Sequence, residues 1–365
     1  MVIGTSEELV VCIGYQPSGR SESYIDRLIA DSRYNLKILI MSTPIINTSR
    51  REFIAGAGIL MIGTALKLKS VAAIPLFSDI KSEPVIDIHQ HIHYHERTDE
   101  QMLAHQRAMG VTTTFLLPSG RPVNSVSTHM GVSNGLQAEA GGNAECFLFA
   151  TQHKKEFKFG ACAVPDSPDG LFEIEKFLKL GAVIIGELKF GVECDSPDMQ
   201  KIYQLAQSYN VPVLMHWQYK MYNYGYERFY KMLEKYPKVN FIGHAQTWWA
   251  NIDKNHSDQS ILYPKGPVTP GGITDRYLSD YPNMFGDLSA GSGLNALTRD
   301  EEHAELFLKR HQDKLVYGSD CEDPGGLASS GCAGALDIAE VRKLVPDKNI
   351  ERKLLYENAK KLFRL

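Results

Sequence analysis

From Glu83 to Leu365 the chain repeats one rhythm: a short apolar run rich in Val, Ile, Leu or Phe, then a segment with helical spacing, then another run. Strands that alternate with helices pair in parallel and are covered by those helices, so this rhythm constrains the fold more than any other feature. The strand-like runs are 84–91, 111–117, 158–164, 182–190, 211–217, 239–245, 284–288 and 314–319. Helical segments lie at 99–109, 144–155, 171–180, 199–209, 226–235, 273–279, 300–311, 336–344 and 350–363. Eight alternating units predict an α/β chain forming a (β/α)8 (TIM) barrel. An open doubly wound sheet is the competitor, but it wants a glycine-rich phosphate loop after its first strand. Here the first strand runs into histidines instead. Two polar stretches, 119–142 and 246–270, read as long loops of the kind that carry function.

Hydrophobic residues make up 43% of the chain and charged residues 22%, enough for a large core. The net charge of −4 gives no reason to expect nucleic acid or an anionic membrane as partner. A small-molecule substrate is the partner expected, and a homo-oligomer is left open. The six cysteines contain no CxxC pair and are too sparse for a disulfide scaffold.

The first 80 residues read differently. Ser49-Arg50-Arg51-Glu52-Phe53-Ile54-Ala55 leads into a Gly- and Ala-rich apolar run, followed by Lys67, Lys69 and Ser70-Val71-Ala72-Ala73. A paired arginine before a mild apolar segment of this length resembles a twin-arginine export signal. The run is too short to span a bilayer comfortably, so no stable membrane anchor is expected. On this reading residues 41–73 are the signal, with Met41 where it would begin. Residues 1–40 are an upstream extension outside the true protein, and 83–365 form the barrel domain. The resemblance implies the twin-arginine machinery as a partner, a periplasmic or extracellular location, and export in a folded, cofactor-loaded state.

In a barrel of this kind the site lies at the C-terminal strand ends. Val85-Ile86-Asp87-Ile88-His89-Gln90-His91-Ile92-His93 alternates, placing Asp87, His89, His91 and His93 on one face. Histidines two apart on a strand can offer two imidazoles to one point, and imidazole is a common transition-metal ligand. The fourth run carries Glu187, with Lys189 two residues on. The fifth ends in His216, the sixth in His244 and the eighth in Asp320. Each polar group caps an apolar run where burial alone would select Val or Ile. A single such histidine is ordinarily a core residue; four histidines and two carboxylates at five strand ends predict a metal site.

Asp87-x-His89-x-His91, His216, His244 and Gly318-Ser319-Asp320 resemble the amidohydrolase superfamily, in its amidohydrolase-related branch. Glu357-Asn358-Ala359-Lys360-Lys361-Leu362-Phe363 is similar to that branch's closing helix. The resemblance implies that His89, His91 and His216 bind metal, and that His244 binds a second metal or polarises the substrate. It implies that Asp320 touches the metal and serves as general base. Members differ at the fourth strand, using a carboxylated lysine, a glutamate or neither. Ile185-Gly186-Glu187 is similar to the Gly-Glu of TatD-like hydrolases, making Glu187 the candidate. Lys189 is the alternative bridge, a cation for a substrate carboxylate, or a salt-bridge partner of Glu187 or Asp320. Asp87 is expected to support a ligand from beneath, and His93 and His95 to lie in a loop.

Nitrogen and oxygen donors without thiolate suit one or two divalent ions, Zn2+ first, with Mn2+, Fe2+ or Ni2+ as alternatives. The activity expected is hydrolysis of an ester, lactone, amide or related C–O or C–N bond by metal-activated water, with Asp320 and His244 catalytic. One alternative is non-oxidative decarboxylation of an aromatic or enoic acid, with Lys189, Arg121 or Arg276 holding the carboxylate. Another is a binding barrel that has lost catalysis, against which the retained Asp320 argues. All three tryptophans follow metal-ligand strands. Trp217, Gln218, Trp248, Trp249 and Ser289 are therefore expected to line the substrate pocket, with Tyr219, Tyr222 and Tyr224 nearby. The alternative is that the tryptophans anchor the loops. Cys321, next to Asp320, has no paired base in the sequence and is not assigned as a nucleophile.

Overall fold

Eight parallel strands follow one another in chain order in the computed structural model, which describes residues 83–118, 140–326 and 331–365 and three short strands nearer the N-terminus. They are β1 (Val85–Gln90), β2 (Val111–Leu116), β3 (Phe157–Phe159), β4 (Ile185–Leu188), β5 (Val213–His216), β6 (Phe241–His244), β7 (Met284–Asp287) and β8 (Leu315–Val316). One arc runs β1-β2-β3 and the other β4-β5-β6-β7-β8. A parallel bridge between Ala161 and Ile185 joins β3 to β4. Bonds from Ile88 N to the Tyr317 carbonyl and from Asp320 N to the His89 carbonyl join β1 to the end of β8. The barrel therefore closes and leaves no free sheet edge.

Two apolar layers hold it. Ile86, Ile88, Phe115, Leu117, Ile184, Leu214, Ile242 and Val316 fill the interior, and Ala359 and Leu362 of the last helix, Asn358–Phe363, plug its floor. A second layer between strands and helices contains Val85, Val213, Met215, Phe241, Met284 and Leu315. The alternation along β5, with Leu214 inside and Val213 and Met215 outside, is the period of two made visible. Local chemistry sets the helix starts. Thr98 caps Asp99–Ala108 by accepting from Gln101 N, while Gln101 bonds back to Thr98 N. Ser196 and Pro197 open Pro197–Tyr209, which ends on Asn210 in the left-handed region.

Two stretches differ from the sequence expectation. Gln246–Ala250, read as loop, is a short helix, and Ala290–Thr298, which falls between the strand-like and helical segments read from the sequence, is a nine-residue helix. Glycine lowers helix propensity, but here packing decides. A side chain on Gly293 would meet the Leu288 carbonyl oxygen at 2.0 Å, so only glycine lets this helix approach the end of β7.

Residues 1–80 group as a separate unit. Within it Val2–Thr5 pairs antiparallel with Glu8–Val11, which pairs parallel with Leu36–Ile38. The expected signal at 41–73, Arg121, and most of the stretch 119–142 lie outside the described residues. Among the described residues no helix is long and apolar enough to cross a membrane.

Candidate metal centre at the strand ends

On four strands the inward alternation runs straight from the interior to the barrel mouth. Leu214 leads to His216, Ile242 to His244, Phe285 to Asp287, and Val316 through Gly318 to Asp320. β1 and β4 break the rule. Ile86 and Ile88 face inward, so simple alternation would send His89 and His91 outward. The pairing with β2 shifts register between Asp87 and Gln90, and both histidines join the mouth. β4 shifts against β5 between Ile185 and Leu188, and Glu187 joins them.

The same shift corrects the expectation for Asp87. It does not support a ligand ring. It accepts from Gln106 Nε2 at 2.9 Å, Ser319 N at 2.9 Å, Ser319 Oγ at 2.6 Å and His89 N at 3.0 Å. Its role is to bind β1 to the end of β8 and to the helix outside. Gln90, also turned outward, accepts from Arg97, which donates in addition to the carbonyls of His91 and Cys321.

At the mouth, His89 Nδ1 donates to Asp287 Oδ2 at 2.7 Å and His91 Nδ1 to the Leu117 carbonyl at 2.8 Å. Both rings thus turn Nε2 to one point, where the two atoms stand 3.1 Å apart. Two lone pairs at that distance repel unless a proton or cation lies between them. Glu187 Oε2 is 3.5 Å from His91 Nε2 and 3.8 Å from His89 Nε2; Asp320 Oδ1 is 3.4 and 3.8 Å from the same atoms. Both carboxylate oxygens are buried without a hydrogen-bond partner. Metal bonds of about 2.1 Å at tetrahedral angles separate ligand atoms by about 3.4 Å, so these four atoms fit a divalent cation.

His244 faces the other oxygens of the pair, with Nε2 3.6 Å from Glu187 Oε1 and 3.6 Å from Asp320 Oδ2. Its tautomer follows from its neighbours. Ser289 Oγ donates its single proton to Asp287 Oδ2 at 2.8 Å, so it accepts from His244 Nδ1 at 2.9 Å. With a proton on Nδ1, the His244 ring is turned so that Nε2 faces the mouth, as a ligand atom would. His216, expected among the ligands, stands with Nδ1 2.6 Å from Glu187 Oε1 and Nε2 3.2 Å from Gln218 Oε1; a neutral ring donates through Nδ1 to the carboxylate and keeps the Nε2 lone pair. In this arrangement it positions Glu187.

Electrostatics match the geometry. Burial would raise the Asp320 carboxyl, but His89, His244 and His91 outweigh it and hold it well below the usual range. Burial would likewise raise Glu187, and His216, Lys189 and His89 outweigh it. Burial first, then Lys189, pushes His216 down to about 4, so it is neutral near pH 7. The site thus keeps two ionised carboxylates among imidazoles.

The expected substrate residues divide. Trp217 is fully buried against Tyr226 and Phe229, and Trp248 against Tyr226 and the backbone at Gly243. Trp249 is buried against Phe307 and donates to the Asp287 carbonyl. These three are core, not pocket wall. Ser289 is likewise fully buried, bonded behind His244. Gln218 does line a cavity of about 540 Å³, with Tyr219, Lys220, Tyr224, Tyr226 and Thr247. Lys189 is half-buried, its ammonium 5.4 Å from the Tyr222 ring centre. His93 pairs with Asp99 and His95 with Glu322 in the loop after β1. Arg276 lines a smaller cavity with Asn251 and His256. Sequence reasoning missed Asp287, although it ends an apolar run just as Asp320 does.

The family model for Amidohydrolase matches residues 86–365. Comparison with curated protein sequences gives no match. Among solved structures the chain is similar to an uncharacterized TIM-barrel protein of Bordetella bronchiseptica, at 14% identity over 77% of this chain and 98% of that one, with TM-score 0.51. It is also similar to a probable 2-pyrone-4,6-dicarboxylic acid hydrolase of Acinetobacter baumannii with bound citric acid (17% identity, 77% and 99% covered, TM-score 0.49). A third likeness is to a dihydroxybenzoic acid decarboxylase of Polaromonas sp. JS666 with bound manganese (13% identity, 78% and 97% covered, TM-score 0.47). At these identities the Bordetella likeness speaks to the barrel fold, and the other two carry no argument about this chain.

Proposed function

Since the chain belongs to the amidohydrolase family, we propose that it is a metal-dependent hydrolase acting on an ester, lactone, amide or related C–O or C–N bond of a small organic substrate. One observation carries this reading: His89 Nε2 and His91 Nε2 stand 3.1 Å apart, Glu187 Oε2 and Asp320 Oδ1 each lie 3.4–3.8 Å from both, and neither oxygen has a hydrogen-bond partner. These residues would hold a divalent cation, with Zn2+ the first choice for such donors and His244 a further ligand. A bound cation of this kind supplies a Lewis acid and lowers the pKa of water at the site.

The remaining work falls to the chain. Asp320, ionised and with its second oxygen 3.6 Å from His244 Nε2, accepts the proton of the attacking water and returns it to the leaving group. His89, fixed by Asp287, and Glu187, fixed by His216, keep their orientation while charge moves. The cavity beside Gln218 receives the organic part of the substrate.

Metal analysis of the purified full chain, with a screen of esters, lactones, amides and aromatic acids, tests the proposal. Bound divalent metal and hydrolysis are expected. A second reading, non-oxidative decarboxylation, draws on the half-buried Lys189 cation, which suits a carboxylate substrate. Release of CO2 from aromatic acids with no hydrolysis in the screen would transfer the assignment to it. Arg50-Arg51 and the following apolar run support export through the twin-arginine route to the periplasm or beyond. N-terminal sequencing of the exported protein tests this, and a mature start near Met1 overturns it.

A further inference from the structure

One cluster takes no part in the proposed chemistry. Cys321 Sγ and Cys332 Sγ are 3.7 Å apart, and His105 Nε2 is 3.7 Å from Cys332 Sγ. One donor atom from each residue lies within 4.8 Å of the other two. The three residues come from separate places: the helix Asp99–Ala108, the segment after β8, and the start of the helix Ala333–Leu344. All are buried, none more than 1% exposed. Met109 Sδ stands 3.8 Å from Cys332 Sγ.

We propose that His105, Cys321 and Cys332 form a second metal site, separate from the histidine–carboxylate centre and built for a thiophilic ion, Zn2+ by its geometry. Tetrahedral Zn–S bonds of about 2.3 Å place two sulfurs about 3.8 Å apart, and a Zn–N bond of about 2.0 Å brings sulfur and nitrogen to about 3.5 Å. The observed 3.7 and 3.7 Å match this spacing. Two sulfurs merely in contact also lie near that separation, so the third donor is the deciding feature. The surroundings add a second argument. Ala335 N donates to Cys332 Sγ at 3.4 Å. That amide belongs to the first turn of the helix Ala333–Leu344, where N–H groups and the helix dipole favour negative charge on the Cys332 sulfur. Met109 Sδ is the nearest fourth donor, and a soft thioether suits a soft ion. Two thiol protons pass to solvent when both sulfurs bind. The ion would tie the segment beginning at Asp320 to the helices outside the barrel.

The test uses Co2+ on the full chain, kept reduced with a phosphine. Thiolate-to-cobalt charge transfer absorbs in the near ultraviolet, and a site of nitrogen and oxygen donors gives no such band. One equivalent of this band is expected in the unaltered chain. It should persist in Glu187→Ala, which disables the first centre, and vanish in Cys332→Ser, which leaves the first centre able to bind cobalt. The measurement on the unaltered chain needs no variant to fold. Absence of the band at cobalt excess overturns the proposal. So does an intact mass two hydrogens light, traced to a Cys321–Cys332 disulfide in the protein as isolated. Neither result touches the hydrolase reading, which stands or falls on the substrate screen.

Discussion

Asp287 and Asp320 address His89 from opposite sides, the first 2.7 Å from Nδ1 and the second 3.8 Å from Nε2. Their substitutions should therefore fail differently. Asp320→Asn keeps an oxygen donor at the converging set but removes the proton acceptor. It should retain metal while turnover falls about 10²–10⁴-fold, the usual contribution of a general base. Turnover within a few-fold of the unaltered enzyme would remove the base assignment. Asp287→Ala leaves His89 free to rotate and to change tautomer. Metal affinity should drop about 10–100-fold in a chelator competition, with the loss also visible as a raised metal requirement for activity. An unchanged affinity would show that packing alone holds the ring. At this scale the residues that meet at the mouth were legible because they cap apolar runs. The tryptophans misled for the same geometric reason: Trp217 follows inward-facing His216, so the alternation sends it outward into the core.

Register at the level of elements decided what single residues could not. No composition rule announces that β1 and β4 slip against their neighbours, yet without those slips His89, His91 and Glu187 would miss the mouth. The slip arises from pairing between strands distant in sequence, which one strand read alone does not contain. Close packing of elements is equally hidden. A side chain on Gly243 would meet the Trp248 ring at 2.2 Å, inside a fully buried contact between β6 and the helix Gln246–Ala250. Gly243→Ala should destabilise by about 1–3 kcal/mol in denaturant unfolding, through overpacking next to His244.

A second element-level tie is polar. Asp275, on the helix Ile273–Asp280, bonds His311 at 2.6 Å and Arg310 at 2.9 Å, at the end of the helix Glu301–Arg310. Burial would raise its carboxyl; His311, the Gly271 N–H and Arg310 outweigh this and bring it down to about 2. A depressed carboxyl adds stability above its unfolded pKa, and that stability is lost as pH falls from about 4 toward 2. The contribution is about 2 kcal/mol. Asp275→Asn should cost this near pH 6 and progressively less on acidification; a difference constant between pH 6 and 2.5 would contradict the assignment.

For the molecule as a whole, the barrel was legible because strand–helix alternation leaves few topologies, and parallel strands covered by helices must close or end in edges. The site was legible because a closed barrel gathers all strand ends at one mouth, bringing His89 and Asp320 together across nearly the whole described domain. On the proposed reading the cation is a whole-molecule constraint, since the converging residues come from β1, β4 and the end of β8. An ion bound only by the folded chain stabilises it by RT ln(1 + [M]/Kd), about 2.7 kcal/mol at a hundredfold excess over Kd. For a domain of this size that corresponds to a rise in Tm of roughly 4–5 °C. Chelation should lower Tm by this amount and readdition of Zn2+ should restore it. His91→Ala should lack most of the response, whereas Cys332→Ser should keep it, because the second cluster uses none of the strand-end ligands. An equal response in His91→Ala and the unaltered chain would mean that the stabilising ion sits elsewhere, and the reading of the strand-end centre would fall with it.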